Sequence, residues 1–275
     1  MHSALLPDGK VVTANEFVPQ NHAAIFCIDC RSPVIFVAPN EHTRPHFKTS
    51  GKGDSVHKDT CGFFQKLTFE DAVAKVTEYQ SILKGSGIEE IVIRINLNSI
   101  DPDYEARVIE REEKEEKKEK KVKVKNETET PQSITTLKAV KKLFMGHDPD
   151  VLASIQISIK GNKVPISYLI RDHNNAHRAL WTDELNQNLP YFVHGTVEKV
   201  IRRDKVIYIN FSTKDSYFSL VIFQKYFKHF TYKDKDLVGR EILAFGSLRK
   251  NKYSADRQST EMYIKSNKYI EFLTR

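Results

Sequence analysis

The chain has 275 residues, 40% hydrophobic and 29% charged, enough for one large domain or two small ones with a real core, which excludes a wholly disordered protein. No stretch approaches the roughly 18 consecutive apolar residues a spanning helix needs, and the first ten residues lack the charged-then-apolar order of a secretory signal, so a soluble, cytoplasmic protein without a membrane partner is expected. The formal net charge of +7 is unevenly placed: residues 191–275 hold 17 Lys and Arg against 9 Asp and Glu, whereas residues 1–190 hold 26 against 27.

Residues 1–66 carry short apolar runs (23–27 and 34–37) between turn residues such as Pro39-Asn40 and Gly51-Lys52-Gly53, the pattern of a small β module with little apolar mass of its own. Residues 67–104 form an α/β segment expected to pack on it. Thr68 with Asp71 makes a start resembling a capping box. Phe69, Val73, Val76, Tyr79, Ile82 and Leu83 have helical spacing, and Gly85 and Gly87 make the stop. Ile91, Ile93, Ile95 and Leu97 then alternate with polar or outward positions as in a half-buried strand.

Residues 105–132 read as a charged linker or exposed helix. Within residues 105–125 lie seven acidic and nine basic groups and almost nothing apolar after Ile109, so no face is left to bury. Residues 133–190 read as an α+β middle region. It opens with a helix on Ile134, Leu137, Val140, Leu143 and Phe144, stopped by Gly146 and Pro149; a hairpin over residues 151–170 follows, turning at residues 160–163. Residues 171–189, with the only tryptophan, Trp181, are polar and carry no clear period.

All three cysteines lie in the first quarter of the chain. Cys27-Ile28-Asp29-Cys30 and His57-Lys58-Asp59-Thr60-Cys61 form a CxxC and an HxxxC with 26 residues between them. Three thiolates and one imidazole make the four ligands of a closed tetrahedral Zn²⁺ site, with no open position for catalysis. A module this small would draw its folding free energy from the metal. His42 and His46, between the two pairs, stand as alternatives to His57 for the fourth position.

The CxxC, the apolar run 34–37, Arg44-Pro45-His46-Phe47 and the HxxxC together resemble the zinc-binding segment of bacterial competence protein CoiA-like proteins, over about 45 residues. In that family a nuclease-like domain follows; the strand-borne Asp and Glu-x-Lys arrangement it requires has no match here, so the resemblance implies a zinc ribbon-like module and not the activity.

Residues 191–275 parse as a first strand at 192–202, a turn at Arg203-Asp204, strands at 205–212 and 217–223, a short helix at 224–230, a polar turn at 233–236, a strand at 240–248, a basic loop at 249–257 and a last strand at 261–270. Three strands, a helix and a closing pair is the chain order of a five-stranded OB-like β-barrel. Val193-His194-Gly195-Thr196-Val197, the run from Leu237 through Ile242 with Gly246, and residues 264–273 resemble bacterial nucleic-acid-binding OB domains. The resemblance implies binding of single-stranded DNA or RNA through strands two and three and the loops at the barrel mouth. On that basis the candidate contacts are Tyr208 and Tyr217 for stacking; Arg202, Arg203 and Lys205 in the first hairpin; and Arg249, Lys250, Lys252, Tyr253 and Arg257 in the last.

No GxxxxGK[ST], GxSxG or HExxH motif is present. Asp172, His173 and His177 are the most chemical-looking polar set, and Asn174-Asn175 beside them favours a solvated loop. The sequence is therefore read as α+β overall and as a nucleic-acid-binding protein more than an enzyme, with a structural zinc module. Two rival classes are a divergent nuclease or nucleic-acid-processing subunit, and an adaptor whose zinc and OB modules bind protein partners in a bacterial genome-maintenance or mobile-element/defence complex.

Overall fold

The computed structural model describes residues 1–21, 24–84, 90–105, 133–159, 161–212, 217–251 and 258–273. The expected linker therefore lies almost wholly outside the described residues, as do Gly85, Gly87, Lys252, Tyr253 and Arg257.

The fold is mixed α+β. A small N-terminal sheet has the order β2-β1-β3, from β1 (Ser3–Leu5), β2 (Val11–Thr13) and β3 (Phe26–Cys27), and a two-stranded ribbon pairs β4 (Ile35–Val37) with β5 (His46–Lys48). Their shared apolar cluster is small and draws in the sulfur residues: Ala4, Val12, Phe17, Val34 and Phe47 pack with Cys27, Cys30 and Cys61.

The helix predicted at 69–83 is α1 (Phe69–Leu83); the Thr68 side chain accepts from the Asp71 N–H, and the Thr68 hydroxyl donates to the Asp71 carboxylate at 2.6 Å. A four-stranded sheet follows in the order β7-β6-β8-β9, from β6 (Ile91–Ile95), β7 (Ser133–Ile134), β8 (Ile155–Ile159) and β9 (Asn162–Pro165). Helix α2 (Leu137–Gly146) takes Leu137, Val140, Leu143 and Phe144 of the expected helix and ends at Gly146, but Ile134, expected to open it, lies in β7, and the helix starts only after the Thr136 cap.

Two expectations in the middle region give way. The first arm of the hairpin is shorter than 151–159, because Pro149 opens a one-turn helix, α3 (Pro149–Ala153), where a missing N–H costs nothing. The second arm ends at Pro165 and turns into α4 (Ile166–Leu169) and β10 (Ile170–Asp172). The polar stretch beyond is helix α5 (His173–Trp181), not a loop. Its start is fixed by Asp172, whose carboxylate accepts from the N–H groups of Asn174 and Asn175, so the asparagines sit in a capped first turn where their polarity does no harm.

The C-terminal segment supplies β11 (Tyr191–Arg203), β12 (Val206–Phe211) and β13 (Tyr217–Phe223), then a 3₁₀ turn (Gln224–His229) and the short helix α6 (Asp234–Leu237). After these come β14 (Glu241–Gly246), β15 (Leu248–Asn251), β16 (Ser259–Tyr263) and β17 (Ile270–Phe272). The hydrogen-bonded order is β15-β16-β13-β12-β11-β14-β17, with β10 parallel to β11. The start of the expected basic loop is thus strand β15. The expected last strand is divided between β16, parallel to β13, and β17, antiparallel to β14. Two glycines meet tight neighbours: a Cβ on Gly195 would fall 2.4 Å from His173 Nδ1 and 2.9 Å from Phe211 Cδ1, and one on Gly246 2.8 Å from Met262 Cγ.

One continuous apolar cluster runs from α1 through β6, α2, β8 and α5 into β11–β14, including Val76, Ile93, Leu137, Ile157, Ala176, Val193, Leu220 and Leu243. It crosses both the linker and the 190/191 boundary expected from composition. The N-terminal sheet is tied to this body by two carboxylates. Asp150, fully buried on α3, accepts from the N–H groups of His2 and Ser3 at 2.6 and 2.7 Å, and Asp29 is met by α1.

Candidate functional site

The CxxC begins on β3 and closes through a tight turn: the Cys27 N–H donates to Ser32 O at 2.8 Å, the Arg31 N–H donates to Cys27 O at 3.2 Å, and Arg31 takes a left-handed φ of 63°. This turn presents Cys27 and Cys30 to the second pair. Cys27 Sγ lies 3.7 Å from Cys61 Sγ, and His57 Nδ1 lies 3.5 Å from Cys30 Sγ and 3.4 Å from Cys61 Sγ. All four ligand atoms fall within 4.8 Å of one another, and the three cysteines are buried. Ligands at about 2.3 Å from a central Zn²⁺ would stand about 3.8 Å apart along a tetrahedron edge, the sulfur spacing found here. The donor set and its spacing fit a closed metal site; His46, half-buried with Nδ1 2.9 Å from Arg44 O, and the exposed His42 stay outside it. Crowding of the sulfurs splits the thiols: contact with Cys27 pulls Cys61 down to about 6, and the same contact with burial pushes Cys27 up.

Asp29, between the two CxxC thiols, holds the site against α1. Its carboxylate accepts from the Tyr79 hydroxyl and the Gly62 N–H, each at 2.7 Å, and pairs with Lys75 Nζ at 3.1 Å. Burial raises its pKa, but these donors more than offset burial and hold it below the usual carboxylate value. Tyr79 is pushed up by its burial and by Asp29.

The second region is the outer face of β12, β13, β16 and β15. Ile207, Ile209, Phe211, Phe218, Leu220, Ile222, Met262 and Leu248 point into the core, so their neighbours on each strand face out. Strand register stacks these outward residues in rows. Tyr208, Val221 and Tyr263 make one row; Asn210, Ser219, Glu261 and Arg249 the next; Tyr217, Ser259 and Asn251 a third. Tyr217 and Phe223 are 47% and 39% exposed. The guanidinium of Arg203 lies over Tyr208 at 5.9 Å; that of Arg249 lies over Tyr263 at 4.9 Å and donates to its hydroxyl at 2.8 Å. Phe223 meets Tyr263 edge-on at 5.1 Å.

Of the expected contacts, Tyr208, Tyr217, Arg203 and Arg249 lie on this face, with Lys205 exposed at the β11–β12 turn. Val221, on the outward side of β13 by alternation, is covered between Tyr208 and Tyr263. Arg202 and Lys250 turn away. Arg202 pairs with Asp234 at 2.7 Å and donates to Tyr232 O. Lys250, opposite the fully buried Thr260, pairs with Asp183 at 2.6 Å and lies over Trp181 at 5.5 Å. Within strand β15 the period of two sends Arg249 and Lys250 to opposite faces. Sequence reasoning missed Tyr263, Phe223 and Lys199. Burial of Met262 and Ile264 makes the outward place of Tyr263 legible by alternation; Lys199 is placed by its pairing with Asn210. Part of the C-terminal positive charge is also neutralised from outside the segment, since Lys265 pairs with Asp101 and Asp103, and Lys225 with Asp103.

The histidines of α5 are occupied in packing. His173 Nε2 lies 2.8 Å from Ser212 O with the ring stacked on Phe211, and His177 Nδ1 lies 2.9 Å from Thr260 Oγ1. Beside them His194, 3% exposed, borders a cavity of about 560 Å³ between α1 and β10 that also holds Glu70, Arg171 and Asp172. Burial lowers His194 to about 4, Asp172 partly opposing. Among the described residues no second set of three metal-ligand side chains converges, and no helix is long and apolar enough to cross a membrane.

No family model matches the chain, and no curated protein matches it. The CoiA-like resemblance therefore has no counterpart among the matches. Part of the chain is similar to solved structures. One is the Stn1-Ten1 complex of S. pombe, at 14% identity and a TM-score of 0.23, covering 31% of this chain and 59% of that one. Another is the aspartyl-tRNA synthetase of Entamoeba histolytica, at 9% and 0.22, covering 31% and 18%. A third is the OBody AM3L09 bound to hen egg-white lysozyme, at 15% and 0.24, covering 34% and 93%. The chain spans less than two thirds of the first neighbour's length, and scores and identities this low carry no inference about it.

Proposed function

We propose that this protein binds single-stranded nucleic acid on the outer face of β12, β13 and β16, and that Cys27, Cys30, His57 and Cys61 hold a structural Zn²⁺. The observation that carries the binding site is the face itself: half-exposed aromatic rings in register, with Arg203 and Arg249 laid over two of them. Every base has a π-face, so such rings stack on a single strand with little regard to sequence, while the cations meet its phosphates. A duplex hides its bases and offers the rings nothing.

An OB-like barrel is the architecture we assign to the C-terminal segment. It is supported by the pairing of β11 with β12, β12 with β13, β13 in parallel with β16, and β16 with β15, together with a 3₁₀ turn after the third strand. Strands β14 and β15 are separated by Ser247 alone, and β14 returns to β11, so the two outer parts of the order belong to one run of chain.

For the zinc, the donor chemistry and the sulfur spacing support a closed structural site. Its residues fold the N-terminal module, and Asp29 carries that fold to α1. The test of the binding assignment is fluorescence anisotropy of the full chain with labelled 12-mers of single-stranded DNA and RNA and with a 12-bp duplex. Tighter binding of the single strands, weakened by Tyr217→Ala, is the expected outcome. Failure to bind any of them rejects the assignment.

A further inference from the structure

The face has an acidic residue in the middle of its polar row. Glu261 sits on β16 between Ser219 of β13 and Arg249 of β15, with the fully buried Thr260 and Met262 on either side of it in sequence, so its carboxylate faces out. A carboxylate at the centre of a phosphate-binding surface is electrostatically unfavourable, and Arg249, the described cation opposite it, does not pair with it. Among the described residues its one hydrogen bond comes from the Asn251 side-chain amide, which donates to Oε1 at 2.7 Å. The Arg249 guanidinium turns instead to the ring and hydroxyl of Tyr263. Among the described residues Oε2 has no donor, and the hydrogen bond from the Asn251 amide to Oε1 fixes the orientation in which Oε2 is offered.

The surroundings place a base within reach. Tyr217 lies two residues before Ser219 on the same face of β13, and residues i and i+2 of a strand are about 7 Å apart. A base stacked on Tyr217 extends its edge over Ser219 and Glu261. An ionised carboxylate only accepts. Guanine offers two donors side by side, N1–H and the exocyclic N2 amine, which match a carboxylate's two oxygens. Cytosine and adenine offer one exocyclic amine each. Thymine and uracil offer a single N3–H between two carbonyl oxygens that the carboxylate repels.

We propose that Glu261 is a base-reading residue that makes this face prefer guanine-containing single strands over thymine or uracil runs. This rests on the nucleic-acid reading above and deepens it: stacking and phosphate contacts supply the affinity, and Glu261 supplies the discrimination. A good bidentate contact is worth on the order of tenfold or more.

The full chain is titrated by anisotropy against four 12-mers, dT12, d(TG)6, d(TC)6 and d(TI)6, in lithium buffer to prevent guanine quadruplexes; inosine keeps N1–H but lacks the N2 amine. The expected result is about tenfold tighter binding of d(TG)6 than of dT12, with d(TI)6 and d(TC)6 between them. Glu261→Gln keeps the acceptor that Asn251 holds and keeps the fold, as its unchanged melting curve checks. It brings d(TG)6 to the level of dT12, while dT12 itself binds as well or better because a negative charge has left the face. Equal binding of dT12 and d(TG)6, or a preference that survives Glu261→Gln, overturns the role of Glu261 and leaves the nucleic-acid reading standing. Absence of binding to all four overturns both.

Discussion

Arg249 and Lys250 are adjacent, equally charged and both in the segment expected to be one basic loop, yet they should behave differently toward nucleic acid. Arg249 is exposed on the aromatic face, whereas Lys250 is spent on Asp183 and Trp181 on the other side. Arg249→Gln and Lys250→Gln each remove one unit of charge, so any effect of net charge alone is the same for both. The described cations on or beside the face are Lys199, Arg203, Lys205 and Arg249. On a single strand each neutralised phosphate contributes about −0.7 to the slope of log affinity against log salt, so four predict a slope of about −2.8 and a loss of about 50-fold between 50 and 200 mM salt. Arg249→Gln should flatten the slope to about −2.1. Lys250→Gln should leave it unchanged and instead cost about 1 kcal/mol of stability, since a partly exposed ion pair and a cation–π contact are each worth no more than about that. The assay is anisotropy with a labelled dT12 at five salt concentrations, paired with urea unfolding of each variant. Equal flattening by both substitutions would mean that the strand sees a diffuse positive field and not this face, and the assignment of cations to sides would be wrong.

Three further outcomes are expected. Elemental analysis should find about one Zn²⁺ per chain, and Cys27→Ser should lose it together with the N-terminal module's resistance to protease; protein prepared without chelators and lacking stoichiometric metal would refute the site. Fragments 1–104 and 133–275, co-expressed, should purify as one complex, because β6 from the first is hydrogen-bonded between β7 and β8 from the second; separate elution would contradict that sheet. Burial holds His194 at about 4 against an ordinary 6.5, so the unfolded chain takes up a proton that the folded one refuses. Stability on this account is full above 6.5 and falls as pH drops toward 4, by about 3 kcal/mol over the window, and His194→Phe should flatten that part of the urea-midpoint profile.

Local chemistry was legible in the residues themselves. Helix α1 shows in the Thr68 cap and the spacing of Phe69 to Leu83, and Cys27, Cys30, His57 and Cys61 show as a candidate ligand set because a CxxC and an HxxxC each place two donors within one turn of chain. Alternation along β12 and β13 was enough to turn Tyr208 and Tyr217 outward. Each of these depends on neighbours a few residues away, which sequence displays directly.

Strand pairing and core continuity were decided only by the tertiary structure. Nothing local tells a polar stretch such as Arg249-Lys250-Asn251 that it will pair with β16, and only that pairing converts one basic cluster into an outward arginine and an inward-turned lysine bound by Asp183, 67 residues away. In the same way, α5 becomes a helix because Asp172 caps it and because His173 and His177 find Phe211 and Thr260 in distant strands. The composition break near 190 marks a change in charge, which lives on the surface. Apolar burial has no such break, and it carries the core of α1 and β8 on into β11 and β14, since side chains that exclude water do so together wherever the chain brings them into contact.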